Sequence, residues 1–273
     1  MPLEAVIQSR EELSADDRSA MFALMDRHYE NMRRERFDAD LDEKQWVIRL
    51  LDADSGRLCG FSTQMMFEQQ VPVPDAAAGE VGAAADVTDR GAANHVRLVF
   101  SGDTIVDREH WGGTAMAIAW GRLVFHLIER FSDRPLYWYL ISKGFRTYRF
   151  LPVYFREFFP RHDAATPREI GAIIDTVAQR KFGARYDATR GIVRAALDAD
   201  RLRPEMGELP ESRLSDPHLR FFVERNPGHV DGDELCCLAP LTRENFSPTA
   251  ERLIRSEAFA RQRLQLDDAP HSS

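Results

Sequence analysis

The sequence predicts an α/β protein built on a mixed central sheet with flanking helices. Two patterns carry that prediction. Residues 95–106, a glycine-bearing turn, the apolar stretch 115–131 and residues 136–142 succeed one another as strand, turn, helix and strand. That is a βαβ unit, whose outer strands lie parallel. Upstream, residues 46–51 and 57–67 flank Asp52-Ala-Asp-Ser-Gly56, whose side-chain acceptors and permissive glycine mark a hairpin turn.

The elements can be justified in order. Residues 13–34 read as one helix: Ser14 and Asp17 form a capping box, and Met21, Leu24, Met25, Tyr29 and Met32 recur at helical spacing. Residues 71–94 are rich in Ala, Gly, Asp and Pro and read as a long connection across a hairpin. Gly102 interrupts the strand 95–106, which marks a bulge or a close approach to the backbone. In 115–131 the polar residues Arg122, His126 and Glu129 fall three or four apart, so a narrow stripe meets water and the rest packs on a sheet. Residues 136–142, LYWYLIS, suit a strand covered on both faces. Residues 166–181 and 248–264 read as helices and 235–241 as a strand. Ser247 and Pro248 supply an N-cap and a first-turn proline.

Composition bounds the function. The chain has 273 residues, 44% hydrophobic and 29% charged, which excludes wholesale disorder, a fibre and a disulfide scaffold. At roughly 150 residues per domain it has room for about two. The net charge of −8 disfavours general attraction to nucleic acid. No apolar run approaches the roughly 18–20 residues of a membrane helix, and the start lacks the layout of a secretory signal. Three cysteines, two of them adjacent, suggest no bridge framework, so the expected compartment is the reducing cytoplasm.

The chemistry concentrates in Asp107-Arg-Glu-His-Trp-Gly-Gly-Thr114. A strand feeding glycines into a helix start leaves backbone N–H groups aimed at one spot, with the helix dipole behind them. Such a site suits a diphosphate. Gly112 and Gly113 allow close approach, and Thr114 is placed to cap the helix. An ordinary tight turn without ligand has the same sequence pattern. The P-loop and GxGxxG signatures do not fit.

At this turn the sequence resembles the GNAT superfamily of acyl-CoA N-acyltransferases, in which a hydrophobic strand end precedes a Q/R-x-x-G-x-G/A turn and a helix. Gly113 and Ala115 match that turn, and Ile105-Val106-Asp107 precede it at the family's distance; His110 stands where the family has Gln or Arg. Tyr154-Phe-Arg-Glu-Phe-Phe159 resembles the family's Y-x-x-x-G-F, with Thr147 and Phe150 in place of the usual Asn and Ala. The resemblance spans roughly residues 10–160. It implies an acyl-CoA-binding domain at 1–162 with splayed central strands, and an appendage at 163–273 that completes the sheet and shapes the acceptor site.

The resemblance further implies a coenzyme A thioester as co-substrate, without metal, held by Ile105, Val106, Asp107, His110, Trp111, Gly112, Gly113, Thr114 and Ala115. The acceptor it implies is an amine on a small molecule or protein, with the oligomeric state open. A backbone N–H on the strand diverging near 102–107 would polarise the thioester carbonyl. Tyr154 resembles the thiolate-protonating tyrosine, with Tyr148 in reserve. His95, Asp103 and Glu68 lie on strands able to line the acceptor cleft, and the base stays open. Two alternatives accompany this reading: a long-chain transferase fed by acyl-carrier protein, similar to acyl-homoserine-lactone synthases, and a non-catalytic acyl-CoA binder. The aromatic run 145–159 is either core or the wall of an acyl tunnel. Asp231, Asp233 and Glu234 offer carboxylates to a hard cation but lack the further spaced oxygens of a calcium loop and read as a turn, and His229 reads as a turn residue able to lie near the acceptor.

Overall fold

The computed structural model describes residues 3–72, 93–204, 213–262 and 264. Strand β1 (Leu3–Ser9) leads into α1 (Ala15–His28), the short strand β2 (Tyr29–Glu30) and α2 (Arg34–Asp42). The hairpin β3 (Trp46–Asp52) and β4 (Leu58–Pro72) follows, then β5 (Ala93–Val106), α3 (Ala115–Arg130) and β6 (Leu136–Ser142). Beyond them come α4 (Phe145–Tyr148), α5 (Phe150–Tyr154), α6 (Arg168–Phe182), β7 (Tyr186–Asp187), β8 (Ile192–Val193) and β9 (Arg201–Leu202). The described chain ends with α7 (Pro217–Arg225), β10 (Glu234–Pro240), α8 (Pro248–Ile254) and α9 (Glu257–Arg261). No helix among the described residues is long and apolar enough to cross a membrane.

Among the described residues eight strands form one mixed sheet in the order β1-β3-β4-β5-β6-β10-β8-β7. Of these described strands only β5 and β6 pair in parallel within it, joined through α3 as a βαβ unit demands. The two sheet faces have separate cores. One packs Trp46, Ile48, Val99, Trp138 and Leu140 against α3. The other packs Phe100, Tyr139 and Leu238 against Ile173, Ile174 and Val177 of α6, with Val47 and Phe61 against α1 and α2. Adjacent Cys236 and Cys237 fall on opposite faces, as the period of a strand requires. The mixed sheet with flanking helices is the architecture the sequence predicts.

Several local expectations need correction. Residues 13–34 are not one helix. The Ser14–Asp17 capping box starts α1 as expected, but the helix stops after His28, and Tyr29 and Glu30 pair with Leu202 and Arg201. Asn31 then takes φ +62°, a reversal that helical spacing alone cannot reveal. Residues 248–264 contain two helices, because Ser256 accepts from the Phe259 N–H and caps a second one. Thr114 occupies the N-cap of α3 without a side-chain capping bond. Strand β1 has no counterpart in the sequence reading. The connection expected at 71–94 has its middle, residues 73–92, outside the described residues; β4 and β5 run into its two ends.

Candidate active site

Residue Gly102 does both things a strand-interior glycine signals. Gln64 pairs with Ser101 and Ser62 with Thr104, so Gly102 and Asp103 together face Thr63 across a β-bulge. A Cβ on Gly102 would come within 2.6 Å of Lys44 Cε and 2.7 Å of Thr63 Oγ1. The parallel ladder between β5 and β6 stops at Ser101 and Leu140, although β6 stays paired with β10 as far as Ser142. The two central strands therefore part at the bulge, and a cleft of about 970 Å³ opens there.

The bulge also decides which backbone groups face the gap. Asp107 N–H bonds to Cys59 on β4, so by antiparallel alternation Thr104 and Val106 turn their N–H and C=O groups away from β4. The Trp111 indole N–H donates to the Val106 carbonyl at 2.9 Å, which fixes that direction independently.

At the end of β5 the chain makes a tight turn, with His110 N–H on the Asp107 carbonyl and Gly113 N–H on the His110 carbonyl. Gly112 has φ +85°, where a side chain would be strained. Helix α3 takes its first bond at Ile118 N–H to the Thr114 carbonyl, so the amides of Ala115, Met116 and Ala117 have no partner within the helix. His110, Trp111, Gly112, Gly113, Thr114 and Ala115 all line the cleft, as do Ile105 and Val106. The His110 side chain is only 10% exposed, and its Nε2 makes no hydrogen bond although Glu109 Oε1 is 3.4 Å away. A buried ring nitrogen without a hydrogen bond, beside amides that lack helical partners, fits an oxyanion such as a diphosphate when that nitrogen carries hydrogen. Cys59, Glu109 and His110 could also offer three ligand atoms to a metal, within 4.8 Å of one another, but the Arg57 guanidinium already pairs with Glu109.

Asp107 stands apart from the cleft lining. Its carboxylate is absent from the cleft lining and is held by His28 at 2.9 Å, Arg57 at 2.9 Å and Arg27 at 3.2 Å. It anchors the turn to α1 and to the start of β4.

Cations gather beside the turn. Arg146, Arg149 and Arg213 line the cleft, and the Arg146 guanidinium stacks 3.8 Å from the Trp111 ring centre. Burial pulls the Arg146 pKa down, and Arg213 and Arg108 push it the same way. Sequence reading missed these residues, although Arg146 and Arg149 stand three apart just after a predicted strand.

Acids and lysines occupy the other side of the bulge. Lys143 Nζ lies 2.6 Å from Asp200 Oδ2, 3.9 Å from Glu234 Oε1 and 5.3 Å from the Tyr29 ring centre. Burial opposes its charge, yet Glu234 and Asp200 hold the ammonium above the usual lysine range. Burial pushes Glu234 up in turn. Lys44, fully buried, is 2.7 Å from Asp40 Oδ1. Asp103 lines the cleft between these pairs, and among the described residues it makes no hydrogen bond or ion pair of its own. Burial, with Asp40 and Asp200 nearby, pushes its carboxyl up to about 7 against the pull of Lys143 and Lys44.

The other candidates separate cleanly. Tyr154 lines the cleft, and burial raises its phenol against the pull of Arg149. Tyr148 does not line it: the residue is fully buried and its hydroxyl donates to the Pro160 carbonyl at 3.1 Å. Phe155, Phe158 and Phe159 are core, whereas Phe145, also buried, and Phe150 line the cleft. Glu68 is paired with Arg97 and Arg134, His95 is exposed, and His229 is buried with Nδ1 on the Asn226 carbonyl. Asp233 holds Arg194 and the Ala195 N–H as a turn residue, whereas Glu234 lines the cleft.

No protein-family model matches the chain, and no curated protein matches it. Among solved structures it is similar to a probable N-acyltransferase from Enterococcus faecalis V583: 15% identity, 58% of this chain against 33% of that one, TM-score 0.38. It is also similar to the GNAT family N-acetyltransferase YhbS from Escherichia coli in complex with CoA, at 18% identity, 55% against 69%, TM-score 0.33. A Trypanosoma brucei acetyltransferase is 17% identical over 61% of this chain and 98% of that one, with TM-score 0.32. The chain thus spans about a third of the Enterococcus protein.

Proposed function

We propose that the protein transfers an acyl group from a coenzyme A thioester to an amine, by direct attack of the amine on the thioester carbonyl. One observation supports this above the others: β5 and β6 part beside the open amides of the α3 turn, and the cleft between them continues to Asp103. The turn amides and His110 suit the diphosphate. The Val106 and Thr104 N–H groups, facing the gap, suit the thioester carbonyl as fixed donors of oxyanion-hole type.

In this reading Asp103 takes the proton of the incoming ammonium. With a pKa of about 7 it is both sufficiently ionised and sufficiently basic at neutral pH. As the carbon–nitrogen bond forms and the carbon–sulfur bond breaks, the Tyr154 hydroxyl gives its proton to the thiolate and recovers one from the nitrogen, which sheds its second proton on becoming an amide; burial keeps that phenol protonated before and after the step. Residues 163–273 supply Lys181, Arg185, Asp200 and Glu234 to the far wall, and so shape the acceptor side. The carboxylates there favour an amine that arrives as a cation.

The test pairs binding with turnover. Thermal unfolding with coenzyme A should shift upward, by about 2.7 kcal/mol at about 100 times the dissociation constant. Thiol release from acetyl and longer acyl donors should then depend on an added amine. No shift with any coenzyme A would remove the reading; a normal shift without thiol release across a broad amine panel would leave a binding protein.

A further inference from the structure

We infer that Cys59, Glu109 and His110 form a binding site for a divalent cation of the zinc class, which clips the start of β4 to the turn before α3. The inference is independent of the transferase reading. A diphosphate needs hydrogen on His110 Nε2, whereas a cation needs the lone pair of that nitrogen, so the two occupants use different tautomers.

The three side chains come from segments that the backbone already holds together. The Asp107 N–H donates to the Cys59 carbonyl at 2.8 Å, which brings Cys59 beside the turn Arg108–His110. One ligand atom from each of Cys59, Glu109 and His110 lies within 4.8 Å of the other two. His110 Nε2 and Glu109 Oε1 are 3.4 Å apart. Two such ligands bonded at about 2.0–2.2 Å to a tetrahedral zinc ion stand about 3.4 Å from one another. The sulfur–nitrogen edge of the same tetrahedron is about 3.6 Å, so Cys59 Sγ closes on the ion by a side-chain adjustment of roughly 1 Å.

The group that asks for a ligand is His110. Its side chain is only 10% exposed, yet among the described residues Nε2 has no hydrogen-bond partner. Leaving such a nitrogen unsatisfied is costly, and a bound cation satisfies it. Cys59 is fully buried, and its Sγ has a long contact of 3.4 Å to the Arg57 carbonyl. Thiolate, imidazole and a single carboxylate make a donor set for zinc; magnesium and calcium call for several oxygens. Arg57 does not close the site. Its pair with Glu109 is open to water on both sides, with side chains 43% and 54% exposed, and such pairs contribute little. When Glu109 turns to the ion, Arg57 keeps Asp107 at 2.9 Å. On binding, the Cys59 thiol gives its proton to solvent and a sulfur–metal bond replaces the S–H bond, with no change of oxidation state.

Cobalt(II) and zinc titrations of the full chain, freed of metal by a chelator, test the site. Cobalt should give a thiolate-to-metal charge-transfer band in the near ultraviolet that saturates at one ion per chain and is displaced by zinc. Cys59→Ser should lose the band. Cys59→Ser and His110→Ala should each weaken zinc by about a hundredfold, read by competition with a chromophoric chelator. Glu109→Gln, at an exposed position that leaves the fold intact, should weaken it by about tenfold. Arg57→Gln should tighten it several-fold, because it frees Glu109 and removes a neighbouring cation. Cys236→Ala and Cys237→Ala, in the core on β10, should keep the band. No band in the wild type, a band that survives Cys59→Ser, or unchanged zinc affinity in both His110→Ala and Glu109→Gln overturns the site. None of these readouts involves coenzyme A, so the transferase reading stands or falls separately.

Discussion

The Trp111 indole N–H donates to the Val106 carbonyl at 2.9 Å, so the residue that ends β5 and the turn that opens toward α3 hold one another. That bond takes up the carbonyl which β6 would use if the strands stayed paired. It leaves the Val106 N–H on the same side free to meet a ligand. The parting of the strands and the shape of the turn are therefore one feature.

Tyr154 and Tyr148 make opposite predictions from the same substitution. Tyr154→Phe removes a hydroxyl in the cleft and should lower kcat by about 10²-fold or more, with coenzyme A affinity retained. Tyr148→Phe removes a buried hydroxyl bonded to the Pro160 carbonyl and should cost about 1 kcal/mol of stability, with kcat unchanged. Steady-state kinetics and urea denaturation of both variants check the pair; equal kinetic losses would take Tyr154 out of the chemistry.

In the proposed reaction Asp103 would set the pH dependence. Its folded pKa of about 7 lies well above the unfolded value, near 4. Between those values the folded state binds more protons, so stability from this group falls as pH rises through that window. Asp103→Asn should therefore melt higher than wild type at about pH 8, with the gain fading toward about pH 4. Wild-type kcat/KM should climb through about pH 7 to a plateau as the base ionises, while Asp103→Asn should be flat and lower by about 10²–10⁴-fold. A wild-type profile without that limb would assign the proton to another acceptor.

How far this was legible from sequence follows the range of the forces. The βαβ unit, the hairpin, the capping box of Ser14 and the bulge at Gly102 rest on neighbours in the chain, and each stands in the structure. The turn residues His110 to Ala115 line the cleft because the turn itself makes the site. What could not be read depends on distant partners. Tyr29 leaves its helix for Leu202. Asp107 is held by His28 and Arg57, and Lys143 meets Asp200 and Glu234 in the cleft.

Gly102→Ala tests the bulge directly. The added methyl group would meet Lys44 Cε and Thr63 Oγ1 inside normal contact, and Lys44 is fully buried beside Asp40. Overpacking of this kind costs about 1–3 kcal/mol. The shift should also move Asp103, the other bulged residue, so the midpoint of the pH–rate profile should change along with the denaturation midpoint. A stability loss with an unmoved pH midpoint would separate the bulge from the placement of the base.

Lys143 ties the far wall of the cleft to β6. Its side chain is 15% exposed, and its ammonium lies between Asp200, on the segment leading into β9, and Glu234, on strand β10. Lys143→Met keeps the volume of the side chain but leaves two largely buried carboxylates without their cation. Breaking a buried pair in this way costs about 3–5 kcal/mol. Adding Asp200→Asn to Lys143→Met should recover part of that loss, since the residues share one network and their effects are not additive. Urea denaturation of the two singles and the double measures the coupling. Strictly additive losses would mean that Lys143 acts by packing alone, and the wall of the acceptor side would then be held by the β2–β9 pairing instead.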